Sequence, residues 1–239
     1  MYLETNWSIN KYMMTHKNAN IKTTRSINSV GVPKRGRGRP REFDREQALE
    51  KAMKIFWSLG YDATSMADLR VGLEITQASL YAAFGNKEQL FHEAVGLYRR
   101  TVGLSTAQAL AVKSSARDAI HSLLQAAVDA YTAPGAPGGC LVILGAINCA
   151  AENKAIQSHL LSIRRQVSQS FLERLKQGQH DGDVPRAAPV DVLAAYYSTV
   201  LYGIALQSKD GTSRKTLTQV VEFAMANWQQ FVGGAASGQ

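Results

Sequence analysis

Ile75-Thr76-Gln77-Ala78-Ser79-Leu80-Tyr81-Ala82-Ala83-Phe84-Gly85-Asn86-Lys87-Glu88-Gln89-Leu90-Phe91 is the stretch on which the fold turns. Thr76 can cap a short helix whose Leu80 and Phe84, four residues apart, share one face. Asn86 with Gln89 three positions on repeats the capping logic, opening a helix that carries Leu90, Phe91, Ala94 and Val95.

Two further helices precede this stretch. Asp44 with Gln47 caps one whose Leu49, Ala52, Met53, Phe56 and Trp57 fall at helical spacing, and Gly60 suits its left-handed stop. Ser65 with Asp68 caps the next, with Met66, Leu69 and Leu73 as its buried stripe. Leu73-Glu74-Ile75 then reads as a tight turn. Capped short helices joined by such a turn define a helix-turn-helix.

Charge is distributed unevenly around this unit. The 239-residue chain carries a net charge of +8, yet residues 1–42 hold nine Lys/Arg against Glu4 and Glu42. Residues 43–239 are nearly balanced, with 18 basic and 17 acidic side chains. From Phe43 to Tyr98, five basic residues face eight acids, so the head itself is not basic. A basic arm ahead of a compact unit seeks a polyanion, nucleic acid first and an anionic membrane second. Residues 1–33, rich in Asn, Ser, Thr and Lys without periodicity, read as disordered. Met13 and Met14 leave the translation start open.

The remainder is helical and shows no catalytic pattern. Helices are expected over 115–132, 140–152, 153–178, 190–208 and 213–232, broken at Pro134–Gly139, Gly178–Pro189 and Lys209–Gly211. No phosphate loop, metal-spaced Cys/His group or Ser/His/Asp set occurs, so neither an enzyme nor a cofactor or metal is expected. No apolar run reaches the roughly 20 residues of a membrane span. The polar start lacks a signal-peptide core, and two cysteines suit a reducing compartment, so a cytoplasmic protein, nucleoid-associated when bound to DNA, is expected. Cys140 and Cys149, nine residues apart on one expected helix, cannot bridge each other. Both read as inert thiols by default; a sensing role for Cys140 at a helix start is the minor alternative.

From Arg39-Pro40-Arg41-Glu42-Phe43-Asp44 through Thr64-Ser65-Met66-Ala67-Asp68-Leu69 to Ile75–Phe91, the chain resembles the TetR family of regulators over residues 39–95. The fold implied is all-α: an N-terminal three-helix helix-turn-helix head and a C-terminal helical bundle that binds an effector and dimerises. The expected division is a disordered basic arm over 1–38, a head over 39–100 and a body over 101–239. One departure is Glu74, which stands where the family commonly has Gly, while Gly72 lies two residues earlier. A left-handed Glu74 costs roughly 1 kcal/mol; the expectation is that the turn tolerates it, with the carboxylate facing solvent near the DNA edge.

With Leu80 and Phe84 inward, Gln77, Ala78, Tyr81 and Ala82 face outward for the major groove. Gln77 can pair bidentately with adenine, and Ala78 or Ala82 can touch a thymine methyl. The resemblance implies phosphate contacts from Thr76, Ser79, Tyr81 and Lys87. Thr64 and Ser65 lie at a helix N-terminus, where free amides attract phosphate. Arg37, Arg39 and Arg41, in an Arg-Gly-Arg-Pro context resembling an AT-hook, are expected in an A/T-rich minor groove. The expected binding unit spans Arg35 to Lys87.

The expected partners are double-stranded operator DNA, a second copy of the chain and a small-molecule effector; no membrane is among them. A two-fold site places recognition helices about 34–36 Å apart, which requires a dimer. Tyr197, Leu201, Ile204, Val221, Met225 and Trp228, on the last two expected helices, are candidate interface residues. By resemblance, an effector pocket lies between the middle helices, with Leu124, Tyr131, Ile143, Ile147, Cys149 and Phe171 as candidate lining. The resemblance implies a ligand-responsive repressor. An activator or architectural protein with the same head, or an enzyme that merely carries a basic tail, are the competing readings.

Overall fold

Asp44 opens the first helix as expected: its carboxylate accepts the Glu46 and Gln47 amides, and α1 runs Arg45–Leu59 to a positive-φ Gly60. The computed structural model describes residues 44–112 and 114–233, and every regular element among them is helical. Ser65 and Asp68 close a reciprocal capping box on α2 (Met66–Leu73), Thr76 caps α3 (Gln77–Phe84), and Asn86 with Gln89 boxes α4 (Lys87–Arg100). The body continues with α5 (Leu104–Ala111), α6 (Ala116–Tyr131), the single turn α7 (Leu141–Leu144) and a 3-10 turn over Ala151–Asn153. It closes with α8 (Lys154–Asp181), α9 (Val190–Lys209), α10 (Arg214–Ala226) and α11 (Trp228–Gly233).

Helix α6 is the spindle. Its buried stripe Ala116, Ala119, Ile120, Leu123, Leu124, Ala127, Val128 and Tyr131 recurs every three to four residues, and α5, α8, α9 and α10 pack around it. In the head, α1 packs on α2 and α4. Phe56 meets Phe91 edge-on at 5.0 Å, and Tyr61 meets the same ring at 5.0 Å.

Three sequence expectations change. The helix expected over 140–152 is only α7, because the end of α1 takes its hydrogen bonds. The Tyr61 amide donates to the Gly145 carbonyl at 2.8 Å, and the Asp62 carboxylate accepts the Ala150 amide and the Asn153 side chain, each at 2.6 Å. A continuing helix would need that carbonyl for its own ladder. Cys140 and Cys149 therefore do not share a helix. The helix expected over 213–232 breaks at Asn227 into α10 and α11. Helix α5 is an added element: it has no side-chain cap and buries no residue, so it leaves no stripe to read in the sequence.

Glu74 takes the left-handed conformation (φ 59°, ψ 36°), with its carboxylate in solvent as expected. Gly72 cannot substitute for it, since Gly72 serves a close approach. A Cβ there would lie 2.5 Å from Ile55 Cδ1, so the glycine lets α2 seat against α1.

Besides the Tyr61–Gly145 bond, a second set of buried hydrogen bonds joins the head to the body. Trp57 Nε1 donates to the Gly139 carbonyl at 3.0 Å, and the Gly139 amide donates to Ser208 Oγ of α9 at 2.9 Å. Gly139 has positive φ, and a Cβ there would meet Leu144 Cδ1 at 2.6 Å and the Ala205 carbonyl at 3.0 Å. Only glycine threads this gap.

Candidate nucleic-acid interface and effector cavity

Helix α3 separates its faces cleanly. Leu80 and Phe84 are buried, whereas Gln77, Ala78, Tyr81 and Ala82 are exposed, Tyr81 at 45%. The Thr76 hydroxyl accepts the Ser79 amide at 3.1 Å and pairs with the Ser79 hydroxyl at 2.9 Å. Capping thus gathers two hydroxyls at one helix start, beside the dipole's positive end. Glu74 sits at the turn, 80% exposed and 3.7 Å from Lys51.

Thr64 does not join this surface. It is wholly buried, and its hydroxyl donates to the Gly60 carbonyl at 2.6 Å, so it braces the α1–α2 turn. Ser65 is exposed, but its hydroxyl is held by Asp68 at 2.7 Å, which also puts a carboxylate at that helix start. Arg37, Arg39 and Arg41 lie outside the described residues, as does the expected arm over 1–38.

Two of the head's five cations are turned into the fold. Arg45 grips Glu93 bidentately at 2.7 and 2.8 Å, donates Nε to the Ala83 carbonyl at 3.2 Å and lies 4.7 Å from the Phe84 ring centre. It thereby pins α1 to the end of α3 and to α4. Lys87 Nζ rests 4.2 Å from the Tyr61 ring centre, and burial pushes its pKa down. Arg70 is the candidate that sequence reasoning missed: it is exposed and shares one cleft with Thr76 and Gln77. Its signal was its place one turn before Glu74 on the helix that precedes α3.

A second concavity, about 840 Å³, lies among α4, α5, α6, α8 and α9. Of the candidate pocket residues, Tyr131 and Ile143 line it. Leu124 and Phe171 are fully buried in the core without reaching it, and Ile147 is 48% exposed. Cys149 is half-buried beside Asp62, and burial raises its thiol pKa. Cys140, an inert thiol on the sequence reading, lines the cavity with Tyr98 and Tyr131. Burial, reinforced by the neighbouring Cys140 thiol, holds both phenols well above their usual pKa, so they stay protonated.

The six candidate dimer residues are buried within the protomer, none more than 4% exposed. Their helices instead present a second apolar face. Val192, Leu206, Val220 and Phe223 are 66%, 51%, 42% and 74% exposed, and Ala195, Thr199 and Gly203 continue the α9 stripe. The spacing 192, 195, 199, 203 and 206 follows one side of a helix.

A helix-turn-helix whose second helix is bare outward and locked inward defines a DNA-binding regulator. Residues 48–94 match the model described as bacterial regulatory proteins, tetR family, and residues 116–224 match the tetracyclin repressor-like C-terminal domain. The chain belongs to the TetR family. It is 32% identical to the transcriptional repressor ComR of Escherichia coli K12, over 87% of this chain and 99% of the relative. The repressor BdcR of the same organism is 28% identical over 78% of this chain and 90% of its own length. Among solved structures, the TetR-family regulator CifR, a cysteine mutant complexed with 26-bp double-strand operator DNA, is 40% identical with a TM-score of 0.76. That match covers 80% of this chain and all of the CifR chain.

Proposed function

We propose that the chain is a homodimeric repressor whose two heads read a two-fold operator and let go when a small molecule fills the body cavity. The observation that carries this reading is α3, exposed at Gln77, Ala78, Tyr81 and Ala82 and fixed from behind by Leu80, Phe84 and the Arg45–Glu93 clamp. Gln77 reads a base edge; Tyr81, Thr76 and Ser79 hold phosphates, with Arg70 beside them. Lys87 reaches phosphate only by leaving the Tyr61 ring. The Ser65 amide region is the weaker phosphate site, because Asp68 already occupies it. The arm over 1–38, with Arg37, Arg39 and Arg41, supplies the positive charge that a head of this balance lacks.

The second copy docks on the outer face of α9 and α10 through Val192, Leu206, Val220 and Phe223. Coupling to the cavity passes through Tyr98. Its ring lines the cavity and packs edge-on to Trp57 at 5.0 Å, and Trp57 is hydrogen-bonded to the Gly139 loop. An effector that moves Tyr98 or Cys140 therefore tilts α1 and α4 together, changing the spacing of the heads. No catalytic role is assigned, and the protein acts wherever the chromosome is, in the cytoplasm.

Sedimentation combined with a gel-shift assay on the DNA upstream of its own gene tests the reading. Two chains bound per two-fold site, with half-sites about one helical turn apart, is the expected result. A monomer on DNA, or binding indifferent to sequence, overturns it.

A further inference from the structure

The cavity is lined by four guanidinium groups, Arg99, Arg100, Arg164 and Arg174, against a single carboxylate, Glu173. Its other walls are apolar, including Leu123, Ile143, Ile163 and Leu201. A volume of about 840 Å³ lies within the range of pockets for drug-sized molecules.

The arginines are not equally committed. Arg164 Nη1 donates to the Val142 carbonyl at 3.0 Å, and Arg99 makes a long contact of 3.5 Å with Gln166. The Arg174 side chain is only 9% exposed. Its Nη2 donates to the Ser114 carbonyl and lies 3.9 Å from Asp183, whose carboxylate also accepts the Ala116 amide at the start of α6. Its Nη1 is buried with no hydrogen-bond partner. Tyr98, also lining the cavity, is likewise buried, its phenol beside the Cys140 side chain and the Leu141 backbone.

The unpaired Nη1 has protons to donate, since guanidinium only donates. A buried charged donor left unpaired is costly, so an occupant that supplies an acceptor at this point gains more than its apolar contacts alone provide. With Nη2 of the fork already held by Ser114 and Asp183, Nη1 is the tine left to meet an oxyanion oxygen. Asp183 offsets part of the Arg174 charge, yet the lining stays positive overall.

We propose that this cavity takes a small amphipathic organic anion, its oxyanion head on Arg174 and its apolar body against Tyr98, Cys140 and Ile143. The proposal rests on the effector reading above and sharpens it to a ligand class. A carboxylate and a phosphate monoester share the required head chemistry.

Calorimetry on the full chain with 4-phenylbutyrate, 4-phenylbutyl phosphate and 4-phenylbutanol separates the possibilities, because the three share one body. At least one anion should bind about ten-fold or more tightly than the alcohol, as expected for a charged hydrogen bond. Arg174→Gln should abolish that preference. Arg174→Lys, which keeps the charge without the fork, should retain part of it and guards against a variant that fails to fold. Which anion wins assigns the head group. Equal binding of alcohol and anions, no binding of either anion at millimolar concentration, or a preference that survives Arg174→Gln overturns the proposal. Operator release, followed by fluorescence anisotropy in the same samples, keeps the two readings apart. An anion that binds while DNA stays bound supports the site and defeats the effector reading. An alcohol that releases DNA as well as the anions do defeats the site and supports the effector reading.

Discussion

The head and the last helices of the body use apolar residues in opposite ways. Helix α3 turns its large apolar side chains, Leu80 and Phe84, inward and leaves small or hydrogen-bonding groups outside. Helices α9 and α10 bury one stripe, Tyr197, Leu201, Ile204, Val221 and Met225, and leave a second, Val192, Leu206, Val220 and Phe223, in the open. A wet surface of the first kind suits phosphate and base edges, which are recognised through hydrogen bonds and charge. A large exposed apolar face of the second kind suits a dry contact with protein. The difference shows why a candidate interface residue cannot be chosen on hydrophobicity alone. In a helix with two apolar faces, the one most populated with large residues becomes core.

Breaking the dry face should have the largest effect. Phe223→Asp is expected to yield a folded monomer in sedimentation and to weaken operator binding by about 100-fold or more, the scale of lost bivalency. Removing residues 1–41 comes next. Every phosphate that the arm no longer neutralises should flatten the slope of log K against log salt by about 0.9, with affinity falling most at low salt. An unchanged salt slope would show that the arm does not touch DNA. Gln77→Ala probes the wet face: it should cost about 1–3 kcal/mol on the operator and leave nonspecific DNA binding unchanged.

Glu74→Gly should raise stability by about 1 kcal/mol in denaturant melts, because glycine adopts the left-handed turn without a Cβ clash. The exposed pair with Lys51 contributes little against this. The smallest effect concerns pH. The His159 and His92 rings meet edge-on at 4.4 Å between α8 and α4, and Glu88 lies 3.7 Å from His92. Burial, with His92 and Arg99 nearby, holds His159 below the usual imidazole range. The folded protein then binds this proton more weakly than the unfolded chain does. The stability His159 contributes is full above the ordinary imidazole pKa and is lost as pH falls through the depressed folded value. The melting temperature should therefore drop on acidification more in the native protein than in His159→Gln.

Local chemistry makes the head legible. Asp44, Ser65, Thr76 and Asn86 each cap the helix that their spacing assigns, because a capping hydrogen bond spans only two or three residues. The stripes of α6, α8 and α9 are equally readable, since their period is a property of the helix itself. Thr64 misleads for the opposite reason: the same hydroxyl that could meet a phosphate closes back on Gly60, a choice made by burial. The α7 segment misleads likewise. Its composition is almost wholly apolar, but Tyr61 and Asp62, more than 80 residues away in sequence, claim the hydrogen bonds that a longer helix would need.

From sequence alone come the all-helical class, the helix-turn-helix, its family and the outward residues of α3, because caps, periodicity and turn residues act over a few positions. Tertiary structure alone decides three things: which apolar stripe of α9 and α10 is free for a partner, which arginine in the cavity keeps an unpaired N–H, and how the Trp57–Gly139–Ser208 contact ties head to body. Each depends on groups far apart in the chain competing for the same space or the same hydrogen bond, and only packing settles that competition.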